Sequence, residues 1–194
     1  MTESASTPRL RTTFAIYVGL ILATAFVGPR EIPIGWHYLA GCIGFVCMAL
    51  ACLGRIWCSV FIAGHKDEKL ITTGPFALCR HPLYALSMLG ALGLGITSRS
   101  VLLCVAVVVL IAALVVYAAS CEEQFLADSF PEEFQAYVGA TPNKWWPRFV
   151  PRTLPERVEV KPEIFWKALV DAGAFFLLYL LVSAAAEYRI IPTF

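Results

Sequence analysis

Apolar residues occupy five long blocks along the chain, and the polar segments between them hold most of the charge. The blocks lie at about 12–27, 34–63, 82–97, 101–119 and 164–186. A helix of about 20 residues crosses a hydrocarbon core of roughly 30 Å. The pattern therefore predicts an all-α, multi-pass helical bundle with about five transmembrane helices, forming a single membrane domain over residues 1–194.

Two polar segments, 64–81 and 120–163, separate these blocks on one side of the predicted membrane. With five spans, only three of the 15 Lys and Arg residues, Arg30, Arg99 and Arg189, fall on the opposite side. The other twelve share a side with the N-terminus. Cytosolic loops are enriched in Lys and Arg, so we expect the N-terminus and both polar segments to be cytosolic.

The composition agrees with a membrane protein and narrows the possible partners. The chain is 59% apolar and 15% charged, against roughly 45–50% and about 25% in soluble domains. A formal net charge of +1 gives no bulk attraction to nucleic acid. The seven cysteines include no C-x-x-C pair and the three histidines do not cluster, so we expect no metal site.

The first sequence with candidate chemistry lies at the start of the third block. Gly74-Pro75 forms a turn that can begin a helix. Pro82 disfavours helical geometry at His81, so the chain should break there and restart. This places an imidazole, a backbone carbonyl and the phenol of Tyr84 together at the membrane surface. Arg80 and His81 could instead do no more than cap a helix at the interface.

Two adjacent carboxylates, Glu122 and Glu123, follow the fourth block directly. Helix C-termini favour cations, so acids at this position are poorly placed for the helix dipole. Either the helix continues into solvent with both acids hydrated, or one carboxylate faces a cavity and holds an amine or ribose hydroxyls.

The rest of the second polar segment combines aromatic, proline and basic residues. Ser129-x-x-Glu132, with Pro131 in the first turn, fits a capping box and predicts that a helix starts there. The stretch 143–152 suits a segment lying on an anionic membrane surface. Alternatively, Arg148 could bind an anion through its guanidinium.

Taken in order, these elements resemble a known signature. They are Gly74-Pro75, Arg80-His81-Pro82-x-Tyr84, Glu122-Glu123-x-x-Leu126-x-x-x-Phe130, Tyr137 and Arg148-x-x-Pro151. This set is similar to that of integral-membrane methyltransferases, namely the isoprenylcysteine carboxyl methyltransferases and the related phospholipid methyltransferases. The resemblance covers roughly residues 64–151.

The resemblance implies a cytosol-facing pocket for S-adenosylmethionine, a cytosolic segment that closes over this cofactor, and a lateral opening toward membrane lipids. The acceptor would be a hydrophobic small molecule or a lipidated molecule. Carried over by position, the residues of the cofactor site would be Gly74, His81, Pro82, Leu83, Tyr84, Glu122 and Glu123. The catalytic residues would be His81, Tyr84 and Arg148.

One position departs from the isoprenylcysteine enzymes of eukaryotes, which carry an arginine about one turn before the glutamate pair. Here that stretch is Tyr117-Ala118-Ala119. Either Arg55, Arg80 or Arg148 replaces the missing cation, or the acceptor is not a carboxylate. We favour a neutral or amine acceptor on a hydrophobic stem, because an unpaired buried carboxylate is costly.

Two other classes of membrane protein share part of this pattern. Sterol reductases end in a similar Arg-His-x-x-Tyr region and use a nicotinamide cofactor, but their chains are generally much longer. A small non-enzymatic membrane protein would bind no cofactor at all. The Glu122-Glu123 element favours the methyl donor over both.

Overall fold

A computed structural model of the chain describes residues 15–16, 18–19, 22–24, 34–62, 69–148, 158 and 160–188. Within these residues all regular structure is helical, as the sequence predicts. The helices are α1 (Ile34–Ile62), α2 (Pro75–Leu78), α3 (Pro82–Thr97), α4 (Val101–Ser129), α5 (Pro131–Ala140) and α6 (Pro162–Tyr188).

Three of these helices are long and apolar enough to cross a membrane: α1, α4 and α6. Many of their large apolar side chains are exposed, for example Leu53 at 66% and Leu102 at 72%. The protein is therefore an integral membrane protein. The count of about five spans stays a prediction, because α3 has 16 residues and the block at 12–27 lies mostly outside the described residues.

The chain divides into two compact units. The first, which we call the apolar unit, comprises Met1–Leu50, Met88–Leu114 and Ala174–Phe194. The second, the charged unit, comprises Ala51–Ser87 and Val115–Gly173. Helices α1, α3, α4 and α6 each contribute residues to both units.

In the apolar unit, α1 and α3 approach closely through glycines. A Cβ atom built on Gly93 would lie 2.9 Å from the carbonyl oxygen of Gly44 and 3.0 Å from Cβ of Cys47. Thr97 donates its hydroxyl to the carbonyl of Gly93 at 2.8 Å. Small residues thus allow backbone-to-backbone contact, which is how helices associate in lipid.

The turn between α3 and α4 is the tight hairpin predicted from Ser98-Arg99-Ser100. Arg99 has a φ of 58°, which is unusual for a residue with a side chain. Its guanidinium is buried and forms an ion pair with Glu187 of α6. The hairpin is therefore tied to α6 by one buried cation.

Candidate functional site

The segment before α3 adopts the interrupted geometry that its glycine and prolines predict. Gly74 has a φ of 61°, and its α-carbon lies against the ring of Phe61, where a Cβ would collide. Pro75 begins α2, Cys79 is extended with φ −154° and ψ 159°, and Pro82 begins α3. The break at His81 is therefore confirmed.

His81, immediately before α3, is buried among polar and aromatic side chains, with 4% exposure. Its Nε2 atom lies 3.0 Å from Oε1 of Glu123, and Nδ1 lies 3.9 Å from Oε2 of Glu122. The rings of Tyr84 and Trp145 flank the imidazole, with centroids 5.6 and 5.5 Å away. Two predicted elements, the Arg-His-Pro sequence and the glutamate pair, thus meet at this imidazole.

Burial decides the protonation of His81. Desolvation lowers its pKa below the ordinary value of 6.5, outweighing the opposing effects of the Glu123 hydrogen bond and the charge of Glu122. The charge of Lys144 lowers this pKa further. At neutral pH the imidazole is neutral, so Nε2–H donates to Glu123 and Nδ1 keeps its lone pair.

Glu123 is the centre of the charge cluster. Its carboxylate lies 2.8 Å from Nζ of Lys144 and 3.4 Å from Nε of Arg80, besides its bond to His81. Its side chain is 22% exposed, whereas that of Glu122 is 47% exposed. The two adjacent acids therefore differ: Glu123 is held by its cationic neighbours, and Glu122 faces outward beside the imidazole.

The cluster resolves the unfavourable position of these acids near a helix C-terminus. Helix α4 continues to Ser129, well past the apolar block that ends near residue 119. The acids therefore lie inside the helix, at least six residues before its end. Arg80 and Lys144 supply the compensating positive charge.

The segment 141–148, which follows α5, is hydrogen-bonded to the stretch 78–81, which connects α2 to α3. Three backbone hydrogen bonds of 2.9–3.0 Å hold it there. They run from the amides of Arg80, His81 and Arg148 to the carbonyls of Asn143, Lys144 and Leu78, respectively. Part of the stretch assigned to the membrane surface is thus built into the site, while the side chain of Arg148 stays exposed.

Helix α5 connects α4 to this segment, and Tyr137 anchors it. The Tyr137 hydroxyl donates to the carbonyl of Phe76 in α2 at 2.7 Å. The helix begins at Pro131, one residue after the start that a Ser129 N-cap predicts, and the predicted capping box is wrong. The N-cap is Phe130, it makes no side-chain cap, and Ser129 is the last residue of α4.

Cys79 lies two residues before His81 and is buried. Burial raises the pKa of its thiol to about 11. The thiol is therefore protonated at neutral pH and is a poor nucleophile, since the thiolate is the reactive form.

The structure brings together His81, Tyr84, Glu122 and Glu123 from the predicted site. Sequence reasoning missed the parts played by Lys144 and Trp145, which lie more than twenty residues beyond the acids. The one available signal was the unfavourable dipole position of the acids, which called for nearby cations. Among the residues that the structure describes, no group of three or more His, Cys, Asp or Glu could hold a metal ion.

Comparison with known proteins identifies the family. Residues 34–133, which include α1 to α4 and the start of α5, match the phospholipid methyltransferase family. The chain belongs to this family. As a phospholipid methyltransferase family member it is an integral membrane protein of a methyltransferase class, in agreement with the resemblance noted above.

Two relatives of this family member are named for metal resistance. The cobalt-zinc-cadmium resistance protein CzcN of Cupriavidus metallidurans is 44% identical over 130 residues, covering 66% of this chain and 59% of that protein. The nickel-cobalt-cadmium resistance protein NccN of Alcaligenes xylosoxydans xylosoxydans is 33% identical over 187 residues, covering 92% and 85%. No solved structure gives a significant match.

Proposed function

We propose that the protein transfers a methyl group from S-adenosylmethionine to a hydrophobic or lipid-like acceptor at the membrane–cytosol interface. The observation that supports this most directly is the asymmetry of the acid pair. Glu123 is engaged by Arg80, His81 and Lys144, which leaves Glu122 as a half-exposed carboxylate 3.9 Å from the neutral imidazole.

The residues around His81 suit the polar groups of S-adenosylmethionine. Its ammonium group and ribose hydroxyls need an acceptor, which the Glu122 carboxylate provides. Its carboxylate needs a cationic donor. We assign this part to Arg80, whose buried Nε forms an ion pair with Glu123 at 3.4 Å but no hydrogen bond. The guanidinium of Arg80 and the outward carboxylate of Glu122 would then bind the two charged ends of the amino acid group.

When bound, S-adenosylmethionine supplies a methyl group on a sulfonium, a reactive donor that needs no metal. The remaining task is to hold the acceptor in line and away from water. We propose that the rings of Tyr84 and Trp145 line the reaction site around His81. His81 can take a proton from an amine acceptor at Nδ1, which carries the free lone pair of the neutral ring.

The segment 141–148 is then the part that closes the cofactor site. Its backbone bonds to residues 78–81 hold it over the imidazole, and Lys144 adds a charge-assisted bond to Glu123 at 2.8 Å. Arg148 remains a candidate for contact with substrate through its exposed side chain. Pro82 and Leu83 follow His81 directly at the start of α3, and Gly74 forms the turn before α2.

We further propose that this site faces the cytosol, as the distribution of Lys and Arg predicts. Five spans would put the C-terminus on the far side. In sealed, oriented vesicles, a C-terminal tag should resist protease added at the cytosolic face. Cleavage of that tag in intact vesicles would contradict the orientation or the number of spans.

The proposed reaction is tested by incubating the purified protein with labelled S-adenosylmethionine and a total lipid extract, followed by mass spectrometry. We expect a labelled product in the lipid fraction and binding of the methyl donor that NADPH does not displace. Absence of S-adenosylmethionine binding, or its displacement by NADPH, would reject the proposed function.

The names of the two relatives support an extension of the proposed function to metal resistance. We propose that methyl transfer by this chain contributes to resistance to divalent metal ions. A metal-sensitive bacterial host expressing the wild type should tolerate more cobalt, zinc or cadmium than a host expressing Glu122→Gln at the same level. Equal tolerance in the two hosts would show that methyl transfer does not contribute to resistance.

A further inference from the structure

The segment 141–148 contains two adjacent tryptophans whose surroundings differ. Trp145 is half-buried, and its ring centroid lies 5.5 Å from that of His81 and 5.7 Å from Nζ of Lys144. Trp146 is 81% exposed. The ring of Trp145 thus belongs to the site described above, whereas the ring of Trp146 points away from it and has no part in that site.

The exposed ring continues into an exposed cation. Trp146, Pro147 and Arg148 are consecutive and all exposed, and we call them the outward face. The segment 141–148 contains no acidic residue. Its other cation, Lys144, is hydrogen-bonded to Glu123 at 2.8 Å, so Arg148 supplies the exposed charge. An aromatic ring beside a cation, with no acid nearby, is typical of contact with anionic lipid headgroups.

Backbone hydrogen bonds fix the level of the outward face along the molecule. The amide of Arg148 donates to the carbonyl of Leu78 at 2.9 Å, and the amides of Arg80 and His81 donate to the carbonyls of the segment at 3.0 Å. The paired stretch 78–81 directly precedes α3, whose 16 residues carry no charge. The outward face therefore lies at the level where an uncharged helix begins.

The spanning helices of the charged unit indicate the same level independently. The apolar run of α4 ends near residue 119, and Glu123, four residues later, holds Lys144. Tyr117 of α4 and Trp166 near the start of α6 are each 67% exposed. Tryptophan and tyrosine are enriched where membrane helices pass through the headgroup region. The outward face thus lies at the level of the lipid headgroups.

We propose that the outward face docks onto anionic lipid headgroups of the adjacent leaflet. The ring of Trp146 lies among the headgroups, and the guanidinium of Arg148 binds phosphates of the surrounding bilayer lipid. The same short segment carries Lys144 and Trp145 toward His81, so docking stabilises the segment in its place over the imidazole. Docking does not depend on methyl transfer, but the gain in S-adenosylmethionine affinity that it causes rests on the proposed function.

The test places the full-length protein in nanodiscs of phosphatidylcholine alone, or of equal parts phosphatidylcholine and phosphatidylglycerol. Hydrogen exchange then follows the amides of Arg80, His81 and Arg148, which exchange when the segment opens. These amides should exchange about fivefold more slowly in the anionic nanodiscs, which is the ~1 kcal/mol that one cation contributes near an anionic leaflet. Added salt should reduce this difference, because it screens exposed charges.

Variants of the outward face identify the residues that make the contact. Trp146→Ala and Arg148→Gln should each lose at least half of the difference in exchange, and Arg148→Lys should keep it. The matched controls are Trp166→Ala and Lys167→Gln, which remove an exposed ring and an exposed cation from α6 and should keep the full difference. Brominated phosphatidylcholine should quench the tryptophan fluorescence of the wild type more than that of Trp146→Phe.

Equal exchange of the wild type in the two kinds of nanodisc would overturn the inference, as would an undiminished difference in both Trp146→Ala and Arg148→Gln. Soluble glycerol phosphate that slows exchange equally in neutral nanodiscs would overturn it too, because it would indicate a small-anion site instead of a lipid surface.

The affinity for S-adenosylmethionine separates this inference from the proposed function. The wild type should bind the methyl donor about fivefold more tightly in anionic nanodiscs, the same ~1 kcal/mol, and Arg148→Gln should lose most of that gain. Slower exchange with unchanged affinity would overturn the link between docking and the site. Slower exchange without any S-adenosylmethionine binding would reject the proposed function and support docking on its own.

Discussion

Different interactions stabilise the interior of each unit. In the apolar unit, glycines bring α1 and α3 into backbone contact, and Phe45, Phe176 and Tyr179 form an aromatic cluster with centroids 5.9–6.1 Å apart. In the charged unit, one carboxylate, Glu123, binds side chains from two other segments. Close packing of small and aromatic residues dominates the first unit, which also contains the Arg99–Glu187 ion pair, whereas a cluster of charges dominates the second.

This difference separates stability from chemistry. Dispersion contacts among small and aromatic residues position helices but offer no group that could bind a polar ligand. The charged unit carries the buried imidazole, the Arg80–Glu123 ion pair and the outward Glu122. Substitutions in the apolar unit should therefore affect folding alone, and those in the charged unit should affect ligand binding as well.

The largest effect is expected from Glu123→Gln. This variant leaves Arg80 and Lys144 without their counterion, and a lost charge-assisted hydrogen bond costs about 2 kcal/mol. Thermal unfolding in detergent should therefore occur at a lower temperature, with weaker S-adenosylmethionine binding. The matched control is Glu133→Gln, an exposed acid on α5, which should leave both unchanged. An unfolding temperature of Glu123→Gln equal to that of the wild type would show that this carboxylate does not stabilise the charged unit.

A smaller and purely structural effect is expected from Gly93→Ala. The added methyl group would lie 2.9 Å from the Gly44 carbonyl and 3.2 Å from the Met48 amide, so backbone must move. Overpacking of this kind costs about 1–3 kcal/mol. Gly139→Ala, where a Cβ has open space, is the control. The affinity of folded Gly93→Ala for S-adenosylmethionine should equal that of the wild type, and a large loss would break the separation of the two units.

The smallest effect concerns pH. Because burial lowers the pKa of His81, the unfolded chain binds a proton that the folded chain does not, between the folded pKa and about 6.5. Stability should therefore fall as pH decreases through this window. The unfolding temperature of the wild type should decrease from pH 7.5 to 5.5 more steeply than that of His81→Gln, which cannot titrate. An equal decrease in unfolding temperature for the wild type and His81→Gln would show that His81 does not contribute to the pH dependence of stability.

Much of the fold follows from local patterns. Pro82 stops helical geometry at His81, and the apolar blocks predict α1 and α3 almost to the residue. The sequence alone does not decide where α4 ends, because the helix can either stop before hydrated acids or continue past them. The Ser129 capping box failed because α4 runs through Ser129 itself, leaving no free N-cap there.

The composition of the site was less predictable, because it depends on long-range contacts. Lys144 lies 2.8 Å from Glu123 although 21 residues separate them, and Tyr137 of α5, between them in the chain, is hydrogen-bonded to Phe76. No spacing rule links these positions. Glu122 and Glu123 are adjacent and of the same residue type, so the sequence does not predict their different exposure, which depends on the tertiary structure.

The central claim is that Glu122, the outward acid, holds the methyl donor, whereas Glu123 holds the protein together. Calorimetric titration of S-adenosylmethionine into wild type and Glu122→Gln tests it most directly, with Glu133→Gln as control. We expect Glu122→Gln to unfold at the wild-type temperature and to lose about 1.5–3 kcal/mol of binding free energy, the scale of a charge-assisted hydrogen bond. Equal affinity in wild type and Glu122→Gln would contradict the claim.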